Sequence, residues 1–378
     1  MAARLTNRSD ANDGRPRRAA PTITSVKRVV FLLGNLELGG AERQALILAR
    51  YLSEHEHADV EVWGFNHAGP VADICEQHGI KWRVVPFELR KVARLLREAR
   101  PNILLPYTLI PNVVCGLVWQ RTGARLCVWN QRDEGIFSLD AKWQYRAAQK
   151  TPLFISNSQA GARYLTEKLN VDPAKVRVIP NGIQVAQPQL DRRAWRERLE
   201  IDETSFIACM VANLHANKDH DTLLKAWRIV VDRKPNAVLV LAGRHYGAYK
   251  SLVELTNELR IADHVRFAGQ VSDVAGLLGA VDLGVFSSRS EGCPNGVLEC
   301  MAAGLAIVGT DIEGIRETGI QFLAPPADAE RFSQIVLDLA DNPHLLATTG
   351  AANRSRIKER YNTQRMCEAT VALLKHEH

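Results

Sequence analysis

The chain alternates short apolar segments with amphipathic ones, and it does so in two successive series. The first series begins at KRVVFLLG, residues 27–34, and ends at VRVIPNGI, residues 176–183. The second begins at FIACMVANL, residues 206–214, and continues to AIVGTD, residues 306–311. Apolar strands separated by helical segments predict parallel sheets covered by helices on both faces. We therefore predict an α/β protein of two Rossmann-like, doubly wound domains that face each other across a cleft.

The segment between the two series is polar, charged and proline-containing, which indicates a linker at about residues 184–200. We place the first domain at residues 27–187 and the second at 188–362, followed by a terminal helix at 363–378. Two domains also suit the length, because 378 residues are too many for one ordinary core. Residues 1–26 are polar, arginine-rich and poor in aromatic residues, so we predict a disordered basic tail.

Charge and cysteine usage exclude several classes of function. The formal net charge is +6, but residues 1–28 hold seven basic residues against two aspartates. The folded part is therefore close to neutral, and we expect no nucleic-acid partner. The seven cysteines contain no CxxC pair, which gives zinc and redox motifs no support and fits a reducing compartment. Since no apolar run is long enough to span a membrane, we expect a cytoplasmic protein.

The stretch SEGCPNGVLECMAAG, residues 290–304, follows a predicted strand and opens a helix. In doubly wound sheets, ligands bind at the carboxyl ends of the strands. We predict that Asn295 is the N-cap of this helix, which leaves the N–H groups of Gly296, Val297 and Leu298 without partners inside the helix. Such a helix start is suited to an anion, most often a phosphate.

Two carboxylates, Glu291 and Glu299, flank this loop. Carboxylates repel phosphate, so we expect them to accept hydrogen bonds from hydroxyls of a phosphate-bearing ligand, such as a ribose diol. Placed within the first helical turn, Glu299 could instead complement the helix dipole, and either glutamate alone would more often be structural. The combination of both with the loop favours a sugar-nucleotide site.

Glu291, seven residues and Glu299, followed by CMAAGLAIVGTDIEGIRE, resemble the donor signature of retaining glycosyltransferases of the GT-B fold, in particular family 4. LGGAERQ, ISNSQAGARYL and VANLHANKDHDTLLKAW match other motifs of that family in the correct order. The resemblance covers nearly the whole chain from Val29 onward. It implies transfer of a sugar from a nucleotide-sugar donor to a hydroxyl acceptor with retained configuration, in polysaccharide or glycolipid synthesis. It also implies that the terminal helix returns to the first domain.

The resemblance assigns roles to individual residues. Glu299 would hold the donor ribose and Glu291 would lie beside the transferred sugar. The diphosphate would rest on Gly296 and Val297, and Lys218 would be the phosphate-binding lysine, although a single lysine is more often a solvated surface residue.

The first domain and the base site add further candidates. Gly39 and Gly40 would let the backbone approach the donor closely, or they would simply form a turn before a helix. Arg43 would reach the cleft or remain on the surface. The backbone of Gly269 to Val271 would face the base.

Two departures from the family pattern concern charge and a missing side chain. Asparagine stands at position 213, where the family often has an arginine, and Arg244 would compensate for it. The histidine expected after the fourth strand is absent, and Tyr107 is nearest to its place. Tyr107 would either contact the acceptor or sugar or belong to the core.

The loop WNQRDEG, residues 129–135, follows the next strand. Its polar residues Asn130, Arg132 and Asp133 would line the acceptor side, or they would form a solvated loop.

The remaining expectations concern cofactors and partners. The chain has no Asp-x-Asp motif suited to a metal-bound diphosphate, and the family works without metal, so we expect no metal and no cofactor. Residues 88–100 form a basic amphipathic helix. This helix would touch anionic lipid at the cytoplasmic membrane face, near a lipid-linked acceptor, or it would pack on its sheet with a solvated basic face, which the sequence slightly favours.

Three alternatives stay open at this point. An oxidoreductase requires G-x-G-x-x-G after the first strand, and LLGNLELGGAE, residues 32–42, lacks that spacing. A nucleotide-sugar epimerase would use the same fold without an acceptor. A non-catalytic nucleotide-binding protein would tolerate Asn213 and the missing histidine.

Overall fold

The computed structural model describes residues 27–135, 141–184, 186–245 and 247–376, so the predicted basic tail at residues 1–26 lies outside the described residues. The described residues form two parallel sheets covered by helices, which confirms the predicted pair of Rossmann-like domains.

The first sheet has seven strands in the order β3-β2-β1-β4-β5-β6-β7. Its strands are β1 Arg28–Leu33, β2 Asp59–Phe65, β3 Lys81–Val85, β4 Ile103–Pro106, β5 Leu126–Gln131, β6 Leu153–Ser156 and β7 Val176–Val178. The helices between them are α1 Gly40–His55, α2 Pro70–Gln77, α3 Leu89–Ala99, α4 Leu109–Val118, α5 Ala141–Lys150 and α6 Gln159–Arg163. Its core strands are apolar on both faces because helices cover both sides.

The second sheet has six strands in the order β10-β9-β8-β11-β12-β13. Its strands are β8 Ile207–Val211, β9 Val238–Ala242, β10 Val265–Gly269, β11 Leu283–Phe286, β12 Ala306–Thr310 and β13 Phe322–Ala324. The accompanying helices are α7 Arg192–Arg198, α8 His220–Arg233, α9 Tyr249–Glu258, α10 Val274–Ala280, α11 Asn295–Ala303, α12 Glu313–Arg316, α13 Ala329–Ala340, α14 Pro343–Arg360 and α15 Thr363–His376. The strand order reverses beside β1 in the first sheet and beside β8 in the second, which creates two switch points where ligands bind in such folds.

The chain passes between the two sheets twice, at neighbouring positions. The N–H of Ile183 donates to the carbonyl of Tyr361 at 2.7 Å, so the outward and the returning segments run side by side. Beyond this point α15 packs on the first sheet, where Met366 and Leu374 join the same apolar cluster as β1. The domain limits at 187/188 and 362/363 stay a prediction.

The predicted linker at 184–200 is partly folded onto the second sheet. Trp195 of α7 is buried in the core of that sheet, and its Nε1 donates to Asp273 at 2.9 Å. Asp273 also accepts from the N–H of Leu190 at 3.0 Å. The polar composition indicated a linker because the other side of α7 is exposed and charged.

Helix α3 buries its apolar side through Val92 and Leu96 and exposes its basic residues. Phe87, just before this helix, is 59% exposed, and Leu89 in its first turn is exposed as well. Across the part of the chain that the structure describes, no helix combines the length and apolarity needed to cross a bilayer.

Candidate active site

A cavity of about 290 Å³ lies between the two sheets at the carboxyl ends of their strands. The second sheet contributes the loops after β8, β9 and β11 together with the start of α11. The first sheet contributes the loop before α1 and polar residues that follow β5, β6 and β7. The predicted site residues that line this cavity are Gly39, Gly40, Arg132, Asn213, Lys218, Arg244, Val271, Glu291, Asn295, Gly296 and Glu299.

Asn295 is not the N-cap of α11, so that prediction was wrong. Pro294, with extended backbone angles, occupies the cap position, and Asn295 is the first helical residue. Its side chain turns away from its own helix. The Oδ1 atom accepts from Asn181 at 2.7 Å, and Nδ2 donates to the carbonyl of Gly40 at 3.2 Å. The side-chain amide of Asn295 thus bonds to residues of the first sheet instead of capping its own helix.

The start of α11 carries three N–H groups for which no described residue is an acceptor, those of Asn295, Gly296 and Val297, and the last two belong to the predicted set. The third predicted group is not free, because Leu298 donates to the carbonyl of Pro294 at 3.2 Å. A Cβ on Gly296 would lie 2.2 Å from the carbonyl oxygen of Val211 at the end of β8. Glycine is therefore needed here to bring the helix start against the switch point, where it can receive an anion.

Glu299 lies in the second turn of α11 rather than in the first turn, as the sequence analysis expected. Burial raises the pKa of its carboxyl above the ordinary value of 4.5, while the charge of Arg43 opposes this shift. Arg43 Nη1 is 4.0 Å from Glu299 Oε1, so Arg43 does reach the cleft. A partly buried carboxylate with one distant cation retains acceptor capacity for a ligand hydroxyl.

Glu291 is 9% exposed and its Oε1 atom accepts two hydrogen bonds. Lys218 donates from Nζ at 2.5 Å, and Ser288 donates from Oγ at 2.7 Å. The loops that carry these residues are joined directly, since Ser287 Oγ donates to the carbonyl of Lys218 at 2.9 Å. No described residue donates to Glu291 Oε2, which leaves one carboxylate oxygen for a ligand.

Arg244 lies beside Asn213 at the cavity wall, and its compensation for the missing arginine stays a prediction. Asn213 Oδ1 accepts from the N–H of Arg244 at 3.0 Å. The guanidinium itself donates to Glu37 at 2.6 Å and to Gln270 at 2.9 Å. Glu37 belongs to the loop after β1 and was missed by the sequence analysis. Its position two residues before Gly39 in NLELGG was the available signal.

The structure places Tyr107 in the core, the second of the two interpretations of this residue. It is 1% exposed and its ring stacks with that of Phe31. The Arg132 guanidinium lies over this ring, 4.5 Å from its centroid, and lines the cavity, which Tyr107 does not. Arg132 donates to Asn181 at 3.2 Å and to Asn130 at 3.0 Å.

The predicted glycines meet the site in different ways. A Cβ on Gly40 would lie 3.1 Å from Asn295 Nδ2, so the small residue permits the contact between the sheets. A Cβ on Gly39 would lie 2.5 Å from its own neighbour Glu42. Gly269 adopts a left-handed φ of 62° and lies just outside the cavity lining, whereas Gln270 and Val271 form part of it.

Several residues that the sequence analysis did not select hold the two sheets together around the cavity. Asn181 Nδ2 donates to the carbonyl of Cys293 at 3.0 Å. Glu317 accepts from the N–H groups of Gln159 and Ala160 at 2.9 and 3.2 Å. Asn157 packs against Gly292. These contacts close the cleft in the present conformation.

The chain was compared with known proteins. Residues 38–187 match the profile of Glycosyltransferase Family 4, and residues 205–342 match that of Glycosyl transferases group 1. Together these matches cover well over half of the chain, and both sheets contribute. The chain belongs to the family 4 glycosyltransferases of the GT-B fold.

Two curated relatives show the range of this family. A GDP-mannose-dependent monoacylated alpha-(1-6)-phosphatidylinositol monomannoside mannosyltransferase from Corynebacterium glutamicum is 26% identical over 53% of this chain. A UDP-Gal:alpha-D-GlcNAc-diphosphoundecaprenol alpha-1,3-galactosyltransferase from Escherichia coli is 24% identical over 53% of this chain. The matches span 56% and 54% of these relatives, little more than half of their length.

Among solved structures, Anabaena HepE in complex with UDP and glucose superposes with a TM-score of 0.82 at 20% identity. The superposition covers 92% of this chain and 99% of that one. This likeness establishes the shared GT-B fold.

Whether the cavity could hold a metal ion depends on how its acidic and basic side chains are arranged. Within residues 27–135, 141–184, 186–245 and 247–376, no three His, Cys, Asp or Glu side chains converge as a metal site would require. Glu291 is paired with Lys218, and Glu299 lies nearest to Arg43. The carboxylates of the cavity thus face cations of the protein.

Proposed function

We propose that this protein is a retaining glycosyltransferase that transfers a sugar from a nucleoside-diphosphate sugar to a hydroxyl acceptor. One observation carries the proposal. The N–H groups of Gly296 and Val297 are unpaired at the start of α11, and Gly296 lines a cavity that Glu291 borders on one side and Glu299 on the other. An anion site between two carboxylates suits a diphosphate that joins a ribose to a second sugar.

The leaving group sets the main electrostatic demand of this reaction. As the bond between the sugar C1 and the diphosphate oxygen breaks, negative charge develops on the diphosphate. The N–H groups at the start of α11 and the ammonium of Lys218 are fixed beside that position. Preorganised donors of this kind typically contribute about 10²–10³-fold in rate each. Arg244 adds a second cation at the same wall.

The two glutamates would position the donor rather than form covalent bonds. Glu299 would accept hydrogen bonds from the ribose diol. Glu291 Oε1 is occupied by Lys218 and Ser288, and Oε2 would accept from a hydroxyl of the transferred sugar. The acceptor hydroxyl would attack C1 from the face on which the diphosphate departs, and its proton would pass to the departing phosphate oxygen. Configuration at C1 is then retained, and neither metal nor cofactor takes part.

The names of the relatives support the substrate classes of this proposal. The C. glutamicum relative is named for GDP-mannose, and HepE was solved with UDP. Both contain a nucleoside diphosphate, but the bases differ. The base that this protein binds therefore has to be measured. Both curated relatives are named for lipid-linked acceptors. We include a lipid-linked glycan as acceptor, and hence a role in polysaccharide or glycolipid synthesis at the cytoplasmic membrane face.

The surface of α3 supports peripheral membrane contact. Exposed Phe87 and Leu89 lie next to the exposed basic residues Arg90, Lys91 and Arg94. Apolar side chains beside basic ones favour binding to an anionic bilayer surface. We expect the protein to sediment with anionic vesicles at low salt, and Phe87→Ser to weaken this binding. Tyr249→Ser, at an exposed aromatic of the second sheet's α9, is the matched control. Failure to bind anionic vesicles would remove the membrane contact from the proposal.

A panel of UDP-, GDP- and ADP-sugars tests the central reaction. The protein is incubated with each donor and with acceptor extracts, with and without chelator, and products are read by mass spectrometry. We expect release of nucleoside diphosphate with a glycosylated product, unchanged by chelator and strongly reduced in Glu291→Gln. Isomerised donor without such release would identify an epimerase. Nucleotide binding without turnover would identify a non-catalytic protein.

A further inference from the structure

Four basic side chains line the cavity, and three of them have a carboxylate partner. Lys218 pairs with Glu291, Arg244 with Glu37, and Arg43 lies 4.0 Å from Glu299. Arg132 differs from these three, because no carboxylate within the described part of the chain forms an ion pair with it. Its hydrogen-bond partners are the neutral amide oxygens of Asn130 and Asn181.

The surroundings of Arg132 fix the guanidinium without neutralising it. The ring of Tyr107 supports one face at 4.5 Å from its centroid. Nη1 donates one N–H to Asn181 Oδ1, and Nη2 donates one N–H to Asn130 Oδ1. The Nε atom is buried and has no described partner. Partial burial of a cation without a counter-charge is unfavourable, so a supported, uncompensated guanidinium at a cavity wall is suited to an anionic ligand.

The position of Arg132 indicates which part of a ligand it would meet. The diphosphate site proposed above lies on the second sheet, at α11 and Lys218. Arg132 lies on the first sheet, and its own carbonyl packs against Gly292, next to Glu291. A donor anchored at α11, with its transferred sugar beside Glu291, would therefore have that sugar and the acceptor on the side of Arg132.

We propose that Arg132 selects an acidic group, a carboxylate or phosphate, on the glycan side of the diphosphate. The inference rests on the proposed transfer reaction and adds a specificity determinant to it. The acidic group belongs either to the transferred sugar or to the acceptor. A guanidinium with two remaining Nη hydrogens offers both sources the same paired recognition.

Two binding comparisons by calorimetry separate these sources. The donor arm compares UDP-glucuronic acid with UDP-glucose, and GDP-mannuronic acid with GDP-mannose. The acceptor arm compares glucose 6-phosphate with glucose in the presence of saturating nucleoside diphosphate. In one of the two arms we expect the acidic member to bind about tenfold tighter or more, the range of one charge-assisted hydrogen bond. Equal binding of acidic and neutral members in both arms overturns the proposal.

Variants at position 132 test whether Arg132 causes the preference for the acidic ligands. Arg132→Gln should abolish the acidic preference and leave the affinity for the free nucleoside diphosphate within about twofold. Arg43→Gln, at an arginine that already has a carboxylate neighbour, should leave the acidic-to-neutral ratio unchanged. An unchanged ratio in Arg132→Gln overturns the proposal. An equal loss of free diphosphate binding also overturns it, because Arg132 would then be a diphosphate ligand.

If Arg132→Gln fails to fold, Arg132→Lys carries the test. Lysine keeps the charge but loses the paired geometry, so the ratio should fall yet stay above one. An undiminished ratio overturns the proposal. Binding of the nucleoside diphosphate alone to the wild type reports on the proposed function separately, since that measurement does not depend on any acidic group.

Discussion

Arg244 Nη1 lies 2.6 Å from Glu37 Oε2, although the two residues belong to different sheets and are 207 positions apart. Arg244 lines the proposed diphosphate site, Glu37 contacts it from the loop after β1, and both side chains are partly exposed. Arg244 is thus neutralised by the first sheet in the conformation described. A diphosphate entering the cavity would compete with Glu37 for the same guanidinium.

Glu37→Gln should therefore raise the affinity for nucleoside diphosphate, because Arg244 loses its competing carboxylate. We expect a several-fold decrease in Kd, about the effect of one partly exposed ion pair. Charge reversal in Arg244→Glu should abolish turnover. Glu54→Gln, at an exposed glutamate of α1, is the control for loss of a surface charge. Full turnover in Arg244→Glu would exclude its role at the diphosphate.

Gly292→Ala should disturb closure of the cleft. A Cβ at this position would lie 2.9 Å from the carbonyl oxygen of Arg132 and 2.9 Å from Asn157 Oδ1, so the two sheets must separate. Small displacements of catalytic groups are costly, and we expect kcat/KM to fall about tenfold or more. Small-angle scattering should show a larger radius of gyration. Gly279→Ala in α10, whose added Cβ meets no atom within 4 Å, is the matched control. Normal activity of Gly292→Ala would show that closure is not required.

The nucleotide affinity should depend on pH through Glu299. Burial raises the pKa of this carboxyl above 4.5. The ribose diol needs the ionised form, so affinity should fall as pH falls through this raised pKa, beginning at a higher pH than for an ordinary glutamate. Calorimetry between about pH 8 and about pH 5 measures the trend. Glu299→Gln should bind more weakly and lack this component, while protonation of the ligand phosphate remains in both proteins. Parallel pH profiles for the two proteins would contradict the assignment.

His220 should make the protein sensitive to acid. This residue at the start of α8 is 3% exposed, and burial, followed by the charge of Lys218, lowers its pKa from 6.5 to about 4. Between these values the unfolded chain binds the proton and the folded chain does not. The free energy of unfolding should therefore drop as pH falls from about 6.5 to about 4, by up to about 3 kcal/mol.

The Nε2 atom of His220 is buried and has no described hydrogen-bond partner, which allows a test by substitution. Because no described residue needs that nitrogen, His220→Leu should fold, and denaturant titrations should show a smaller loss of stability between pH values above and below the window. His344→Gln, at an exposed histidine of α14, should behave like the wild type. An identical loss in His220→Leu would exclude His220 as the source.

Much of the architecture follows from the local pattern of the chain. The apolar segments that open and close the two predicted series coincide with β1, β7, β8 and β12, because strands of parallel sheets lie between covering helices. The strand β13, Phe322–Ala324, lies beyond the last predicted segment, has only three residues and is followed by two prolines. So short a segment is stabilised by its neighbour β12 rather than by a pattern of its own.

Residues of the site that follow strands were also predictable. Lys218, Arg244 and Glu291 come after β8, β9 and β11, and parallel strands bring their carboxyl ends to one edge of the sheet. Contacts between the sheets were not predictable. Asn295 bonds to Asn181, which lies 114 positions away, so its partner depends on how the sheets dock. The place of Tyr107 depended on contacts inside the first sheet, where its ring stacks with Phe31 and lies beneath Arg132.

The location of the diphosphate is the claim on which the proposed reaction depends, and the crystal structure of a complex tests it most directly. The protein should be crystallised with whichever nucleoside diphosphate binds tightest in the panel. We expect the diphosphate oxygens within hydrogen-bond distance of the N–H groups of Gly296 and Val297, with the ribose hydroxyls on Glu299. A nucleotide bound elsewhere, or a ribose turned away from Glu299, would contradict the account.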